Sequence, residues 1–248
     1  MTTPSDAIIR IDGGSSTLWG RYDRAAWDVR IDVGDDELQD DTLDEAEWAR
    51  RCEANPRLFN GPMLSVDRFD PEAGTVRARR AWYKQLVLDS PGIQLLAVIG
   101  VVVARREGGG VCTLMGRRGR QTRLYGRRWE LAPAGGVDPI EGPSVTRDMV
   151  MAQLAEEMRE EVGIEAQARH ADIVAMVHNQ ESRSLDLVAL IEPEETVEAL
   201  RARAFREATW EYERLLWLPI RAASRFVATH GEQLTPQSRV IFEYLGWA

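Results

Sequence analysis

The stretch Ala155-Glu156-Glu157-Met158-Arg159-Glu160-Glu161-Val162-Gly163-Ile164 places four carboxylates within six positions. It ends a predicted helix over residues 145–162, and the glycine that follows is a typical helix terminator. Because residues three and four apart share a helix face, Glu157, Glu160 and Glu161 are expected on one side. Like charges at these spacings destabilise a helix by about a few tenths of a kcal/mol per pair. A bound divalent cation would offset that repulsion; a solvated acidic face is the alternative reading.

Magnesium is the cation that suits such a face. Mg²⁺ binds carboxylate oxygens while keeping several waters and substrate phosphates. Bound Mg²⁺ also lowers the pKa of a water and stabilises a leaving phosphate. Glu157, Glu160 and Glu161 are therefore the predicted metal ligands, with Mn²⁺ as a substitute ion. The three histidines have no zinc-type spacing.

Composition narrows the classes of partner. The 248 residues carry 31 basic and 40 acidic side chains, a formal charge of −9. An acidic chain repels a phosphate backbone, so we expect no nucleic-acid polymer as a partner. The longest apolar run, Leu95 to Ala104, is too short to span a bilayer, so no membrane is expected. Met1 to Asp6 lacks a basic or apolar leader, and Cys52 and Cys112 read as reduced thiols, so we expect a cytoplasmic location.

The chain is predicted to have two parts. Alternating residues in Ala7–Asp12 and Ala25–Asp32 predict strands joined by a glycine-containing turn. Thr42 lies three residues before Glu45, the capping-box spacing, and predicts the start of a helix. Ser90-Pro91-Gly92 is the predicted boundary between a small β-rich N-terminal domain, 1–90, and a second domain, 91–248. Strands and helices do not alternate regularly after the boundary, which favours an α+β fold.

Arginine is concentrated in one segment. Eight arginines lie between residues 105 and 128: Arg105, Arg106, Arg117, Arg118, Arg120, Arg123, Arg127 and Arg128. A planar guanidinium can bind two phosphate oxygens at once. Arg118, Arg120 and Arg127 are the predicted phosphate-binding residues. For any single arginine, a solvated surface position is an equal alternative.

The acidic helix and its upstream glycines resemble a known motif. Gly135-Gly136 followed by Glu160-Glu161-Val162-Gly163-Ile164 resembles the Nudix box, G-x5-E-x7-R-E-U-x-E-E-x-G-U, in which U is aliphatic. Two departures stand out. Glu156 occupies the position of the box arginine, and the spacing from Gly136 to Glu156 is six residues longer than in the family. Asp148 and Glu141 are the open alternatives for the first box glutamate.

The whole chain is similar in architecture to the Nudix hydrolases that cleave UDP-glucose and UDP-galactose. That branch also has an extra N-terminal domain, an insertion in the box and a missing arginine. The matching stretches are Asn55–Gly61, Arg117–Gln121 and His178–Glu181. The resemblance implies an α/β/α sandwich with a mixed sheet.

The resemblance also implies a reaction and roles for residues. The reaction is Mg²⁺-dependent hydrolysis of a nucleotide sugar to UMP and sugar 1-phosphate. The carbonyl of Gly136 would complete the metal shell. Glu161 would act in catalysis as a metal ligand, Glu157 as a third ligand or the catalytic base, and Glu181 is the second candidate for the base. Asn179 and Tyr125 are the candidate substrate-binding residues, the tyrosine by stacking on uracil. The implied partner is a small-molecule nucleotide.

The sequence leaves three other interpretations and the oligomeric state open. The altered box is compatible with a catalytically silent, nucleotide-binding regulatory protein. A Nudix enzyme acting on another nucleoside diphosphate, such as ADP-ribose, is the second alternative. A structural or surface role for the arginines is the third. Members of the family often dimerise, so a homodimer is an expectation.

Overall fold

The structure is a computed structural model that describes residues 7–34, 44–139, 141–165, 168–203, 205 and 208–248. The strands are β1 Ile8–Gly13, β2 Ser16–Arg21, β3 Arg30–Val33, β4 Pro62–Asp70, β5 Thr75–Trp82, β6 Leu95–Arg105, β7 Val111–Arg118, β8 Trp129–Leu131, β9 Ala134–Gly136, β10 Ser144–Val145, β11 Ala168–Asn179, β12 Ser184–Pro193 and β13 Tyr212–Pro219. The helices are α1 Glu45–Ala54, α2 Tyr83–Val87, α3 Arg147–Glu157, α4 Val197–Arg203, α5 Ala223–His230 and α6 Pro236–Tyr244.

The strands form one mixed sheet. Its main path runs β1-β2-β11-β12-β6-β4-β5-β3-β10. β12 and β6 are parallel along Ser184–Ile191, whereas β6 turns at its far end to pair antiparallel with β7. β13 and β8 flank β7, and β9 lies along the middle of β6. The mixed sheet confirms the predicted α+β class.

β6 shows why the sheet has helices on both faces. Its side chains alternate between two hydrophobic clusters, with Leu96 and Val98 on one face and Ile99 and Val101 on the other. The first cluster also contains Val150 and Leu154 of α3, and the second contains Val240, Ile241 and Phe242 of α6. A strand buried on both faces reads as a continuous apolar run, as this one does. The architecture is therefore helix–sheet–helix.

The helix that the sequence predicts over residues 145–162 starts at Arg147, since Val145 lies in β10, and α3 itself ends at Glu157. Thr146 is the N-cap, and its hydroxyl accepts a hydrogen bond from Met149 N at 3.3 Å. Gly163 adopts a left-handed φ of 74° after the last turn. The last turn, Met158–Val162, is π-helical rather than α-helical, which the sequence did not predict.

The N-terminal strands share the sheet and core with the rest of the chain. β2 pairs with β11, and Trp27 N donates to Ile173 O at 2.7 Å. Ile31 and Leu64 belong to the same hydrophobic cluster as Leu96. The division after residue 90 stays a prediction about the chain, but its two parts are packed together around common apolar residues.

One prediction about local structure is wrong, and another concerns residues that the structure does not describe. β1 pairs with β2, which starts at Ser16, and not with the predicted strand at 25–32. The turn is therefore shorter than predicted, and only Arg30–Val33 of the later segment is a strand. Asp44 is the N-cap of α1, accepting from Glu47 N at 2.9 Å, while the predicted cap Thr42 lies outside the described residues.

Candidate active site

The π-helical turn at the end of α3 separates the glutamates of residues 156–161 into two groups, one facing a cleft and one facing solvent. A π-helix closes i to i+5 hydrogen bonds and so has more residues per turn than an α-helix. Residues four apart, such as Glu157 and Glu161, therefore come closer to alignment, and residues three apart, such as Glu157 and Glu160, move out of alignment. Glu157 and Glu161 line a cleft of about 380 Å³. Glu160 does not line it.

Glu157 lies directly against the glycine pair of β9. A Cβ atom placed on Gly135 would come within 2.5 Å of Glu157 Oε1. Gln153 Nε2 donates to the same oxygen at 3.2 Å. Burial raises the pKa of Glu157, and nearby acidic groups raise it further despite the Gln153 hydrogen bond. The absence of a side chain on Gly135 is what lets this carboxylate reach the cleft.

Glu161 is the most buried of the glutamates of residues 156–161. Only 7% of its surface is exposed, and its Oε2 has no hydrogen-bond partner among the described residues. Burial raises the pKa of Glu161 well above its usual value. A hydrogen bond with Glu211 and the charges of Glu157 and Glu130 raise it further. A buried, unpaired carboxylate oxygen among other acids is costly unless a cation neutralises it.

Glu156 and Glu160 lie on the solvent side of the same segment. Arg159 Nε donates to Glu156 Oε2 at 3.2 Å, and Arg159 Nη2 lies 3.0 Å from Glu160 Oε1. The hydrogen bond from Arg159 lowers the pKa of Glu156. The carboxylate of Glu160 is paired with Arg159 outside the cleft. That Glu160 binds the metal stays a prediction.

Arg118 is the arginine held deepest in the cleft. Its Nη1 lies 2.6 Å from Glu130 Oε1, and its Nε donates to Leu124 O at 3.1 Å. Burial lowers the pKa of Arg118, but the charge of Glu130 more than offsets this and the net direction is upward. Burial raises the pKa of Glu130. Arg118 is thus a fixed positive charge beside the glutamates.

The other predicted site residues are placed at different depths. Gly136 and Tyr125 line the cleft together with Glu157, Glu161 and Arg118. Arg120, Arg127 and Glu181 are exposed and do not line it. Asn179 is fully buried beneath the cleft. Its Oδ1 accepts from Tyr125 OH at 3.2 Å and Ser182 N at 2.8 Å, so it braces two cleft residues.

The cleft contains residues that the sequence reasoning did not single out as site residues. These are Arg123, Glu130, Ser182, Ser184, Asp186, Glu211 and Gln237. Arg123 belongs to the arginine segment and therefore had a weak signal. Asp186 had a clearer one, because a charged residue interrupts the apolar run Leu185–Ile191.

Asp186 lies at the floor of the cleft in a hydrogen-bonded chain. Ser184 Oγ donates to Asp186 Oδ2 at 2.7 Å and lies 2.9 Å from Ser182 Oγ. Gln237 Nε2 donates to Ser182 Oγ at 3.2 Å. Burial raises the pKa of Asp186 to about 7, although the hydrogen bonds from Ser184 and Gln237 lower it. The carboxyl can therefore exchange a proton near neutral pH.

By themselves, the carboxylates supply only some of the ligands that a hard cation such as Mg²⁺ needs. Across the described part of the chain, no three His, Cys, Asp or Glu side chains are grouped to hold a metal ion. Mg²⁺, however, is usually bound by one or two carboxylates plus waters and substrate phosphates. The unpartnered oxygen of Glu161, with Glu157 and Glu211 on the same cleft wall, fits that mode of binding.

Within the described ranges, no helix is both long and apolar enough to cross a bilayer.

Comparison with known proteins gives structural similarities only. No protein-family model matches the sequence, and no curated protein is significantly similar to it. Among solved structures, a MutT protein from Methanosarcina mazei Go1 is 20% identical, with a TM-score of 0.43 over 60% of this chain and 91% of that one. The Nudix hydrolase RenU from M. smegmatis is 17% identical, with a TM-score of 0.42 over 62% and 84%. The NUDIX domain of Shewanella oneidensis NrtR, complexed with ADP ribose, is 14% identical, with a TM-score of 0.43 over 66% and 96%.

Proposed function

We propose that this chain is a Nudix-type hydrolase that cleaves the pyrophosphate bond of a nucleoside diphosphate linked to a second group, with Mg²⁺ as the cofactor. The observation that carries the proposal is Glu161. Its carboxylate is buried in the wall of a cleft with one oxygen unpartnered, and the same cleft contains the guanidinium of Arg118. Acids for a cation and a fixed arginine for phosphate oxygens are what pyrophosphate cleavage requires.

The cation would be held by Glu161 together with Glu157 or Glu211, with the Gly136 carbonyl beside them, and waters and substrate phosphates would complete its shell. Bound Mg²⁺ would supply an activated water and neutralise phosphate charge. Glu160 would join only after releasing Arg159. Glu157 lines the cleft and would act as the base when Glu211 binds the cation in its place, whereas Glu181 is exposed outside the cleft.

The arginines would orient the phosphates. Arg118 is fixed by Glu130 and Leu124. Arg123 reaches the cleft from the following loop, and its Nη2 donates to Ser182 O at 3.2 Å. Two guanidinium groups on one wall can bind separate phosphate oxygens of a diphosphate. Arg120 and Arg127, exposed at the surface, would act by steering the anion toward the cleft.

The substrate we propose is UDP-glucose or UDP-galactose, giving UMP and sugar 1-phosphate. The support is the similarity of Asn55–Gly61, Arg117–Gln121 and His178–Glu181 to the uridine-specific branch. The first and second of these stretches meet in space, because Asn55 Nδ2 donates to Gln121 O at 2.9 Å. A cytoplasmic location and a homodimer remain predictions.

A coupled phosphate assay tests the reaction. The chain would be incubated with Mg²⁺ and UDP-glucose, UDP-galactose or ADP-ribose, and alkaline phosphatase would release phosphate from the monoester products. We expect turnover only when Mg²⁺ is present during the incubation with this chain, which is stopped before the phosphatase is added. Turnover of ADP-ribose alone would refute the uridine assignment. No turnover of any of the three, with nucleotide still bound, would favour the silent regulatory protein.

A further inference from the structure

An unusual pair of exposed aromatic side chains lies at the mouth of the cleft. Phe59 is 74% exposed and Trp210 is 50% exposed. Both line the same cleft as Glu157 and Glu161. Full burial of a large apolar side chain stabilises a fold, and these two exposed rings forgo much of that stabilisation. Exposed apolar groups at a concave site mark ligand binding.

Trp210 has a cationic partner from the N-terminal part of the chain. The guanidinium carbon of Arg57 lies 4.8 Å from the centroid of the indole. Arg57 Nε donates to Gln121 Oε1 at 3.1 Å, which keeps the side chain in place. We call Arg57, Phe59 and Trp210 the aromatic rim.

The aromatic rim is held by hydrogen bonds on both sides. Asn55 Nδ2 donates to Gln121 O at 2.9 Å, which attaches the segment to the loop that carries Arg123. On the other side, Asn60 Oδ1 accepts from Lys84 N at 3.0 Å. The backbone around Phe59 is therefore positioned while its ring stays in solvent. A surface loop positioned in this way is typical of a recognition element.

We propose that the aromatic rim is the base-binding subsite of the cleft, which takes the planar heteroaromatic ring of a nucleotide by stacking. The inference rests on the proposed function and adds to it a role for the N-terminal part of the chain. The arginines and glutamates would bind the diphosphate deeper in the cleft, and the base would lie against Trp210 and Phe59 at its mouth. Every base has a π-face, so stacking binds it with little sequence preference.

A hexose face could also contact an aromatic ring, so the probes must separate base from sugar. Calorimetric titration would measure the affinity of the chain for UMP, AMP, ribose 5-phosphate and glucose 1-phosphate in Mg²⁺ buffer. The variants are Phe59→Ala, Trp210→Ala and the conservative Trp210→Phe. Tyr22→Ala is the matched control, because Tyr22 is 65% exposed and does not line the cleft.

We expect Trp210→Ala to weaken UMP and AMP binding by roughly 5- to 140-fold, the loss that one stacked base would cause. Phe59→Ala should act in the same direction, Trp210→Phe should restore most of the affinity, and Tyr22→Ala should have no effect. Ribose 5-phosphate should bind all variants within about twofold of one another. Circular dichroism would confirm folding, and Phe59→Ala keeps the test valid if Trp210→Ala does not fold.

Two results would overturn the proposal that the aromatic rim binds the base. Nucleotide affinity unchanged in both Phe59→Ala and Trp210→Ala is one, and an equal loss for UMP and for either sugar phosphate is the other. These results are separable from the hydrolysis assay. Turnover without dependence on the rim refutes only the base subsite, whereas rim-dependent nucleotide binding without turnover refutes only the hydrolase.

Discussion

The two sides of the acidic helix end differ more than their sequence does. Glu157 and Glu161 face the cleft, where burial raises the pKa of each carboxyl. Glu156 and Glu160 face solvent and pair with Arg159. The pKa of Glu156 is lowered by that arginine. Two glutamates are thus placed where their charge is costly without a cation, and two where it is already neutralised.

This difference shows that burial, not the number of charges, marks the chemical side of the helix. An exposed ion pair contributes little and is screened by salt. A buried unpartnered carboxylate is destabilising by itself. It persists where a ligand supplies the missing partner, which makes Glu161, with the half-buried Glu157 beside it, the candidate metal site. Four measurements test that contrast.

The largest effect is expected for Glu161→Gln. The amide keeps the shape of the side chain but removes the charge that a cation needs. Activity should fall by more than about 100-fold, the upper end of what loss of an outer-sphere metal partner costs. Mn²⁺ binding, measured by electron paramagnetic resonance, should weaken in parallel. The variant should also unfold at a higher temperature at pH 8, because a costly buried charge is gone. Retained Mn²⁺ affinity would place the metal elsewhere.

Gly135→Ala should come next. A Cβ at this position would lie 2.5 Å from Glu157 Oε1, so the carboxylate must move out of the cleft. We expect a loss of activity of about tenfold or more, with little change in the free energy of unfolding, because the atom that must move is the free end of a flexible side chain. Gly136→Ala is the matched control, since its nearest contact would be Leu95 Cδ1 at 3.5 Å. Equal effects of the two substitutions would contradict the proposed position of Glu157.

Asp186→Asn tests the effect of burial on a carboxyl at the floor of the cleft. The pKa of Asp186 is raised from 3.8 to about 7, so the fold prefers the protonated form. Its contribution to the free energy of unfolding therefore falls as pH rises from about 4 to about 7. At about 1.36 kcal/mol per pKa unit, the variant should gain up to about 4 kcal/mol relative to the parent chain between pH 4 and pH 8.

Urea unfolding at a series of pH values measures this gain. Asp28→Asn is a control on an exposed aspartate. A constant difference between Asp186→Asn and the parent across the pH range would show that Asp186 is charged in the fold.

The smallest effect is expected for Glu160→Gln. Its carboxylate lies outside the cleft with Arg159, so activity should change by no more than about twofold, as for other surface substitutions. Glu156→Gln should behave alike. A large loss for Glu160→Gln alone, measured by steady-state kinetics at saturating Mg²⁺, would mean that Glu160 releases Arg159 and joins the metal.

The sequence predicted the fold class and the helix that carries the acids. Periodic apolar residues and the terminating Gly163 are local signals, and local signals are readable without a structure. The hairpin of β1 and β2 was missed, because the turn at residues 13–16 was expected to lead to the strand predicted at 25–32, with no strand in between. The π-helical turn was also missed, because a single residue's shift in hydrogen bonding leaves no mark on the periodicity.

The candidate site divides in the same way. The sequence alone determined that Glu157, Glu161, Gly136, Arg118 and Tyr125 belong to chemistry-bearing segments. Only the tertiary structure decided that these five line one cleft while Glu160, Glu181, Arg120 and Arg127 do not. It also added Glu211, Asp186 and the rim residues Phe59 and Trp210, which come from distant parts of the chain. The physical reason is that spacing along a helix fixes which residues are neighbours, whereas burial and the charges around a group depend on elements far away in sequence.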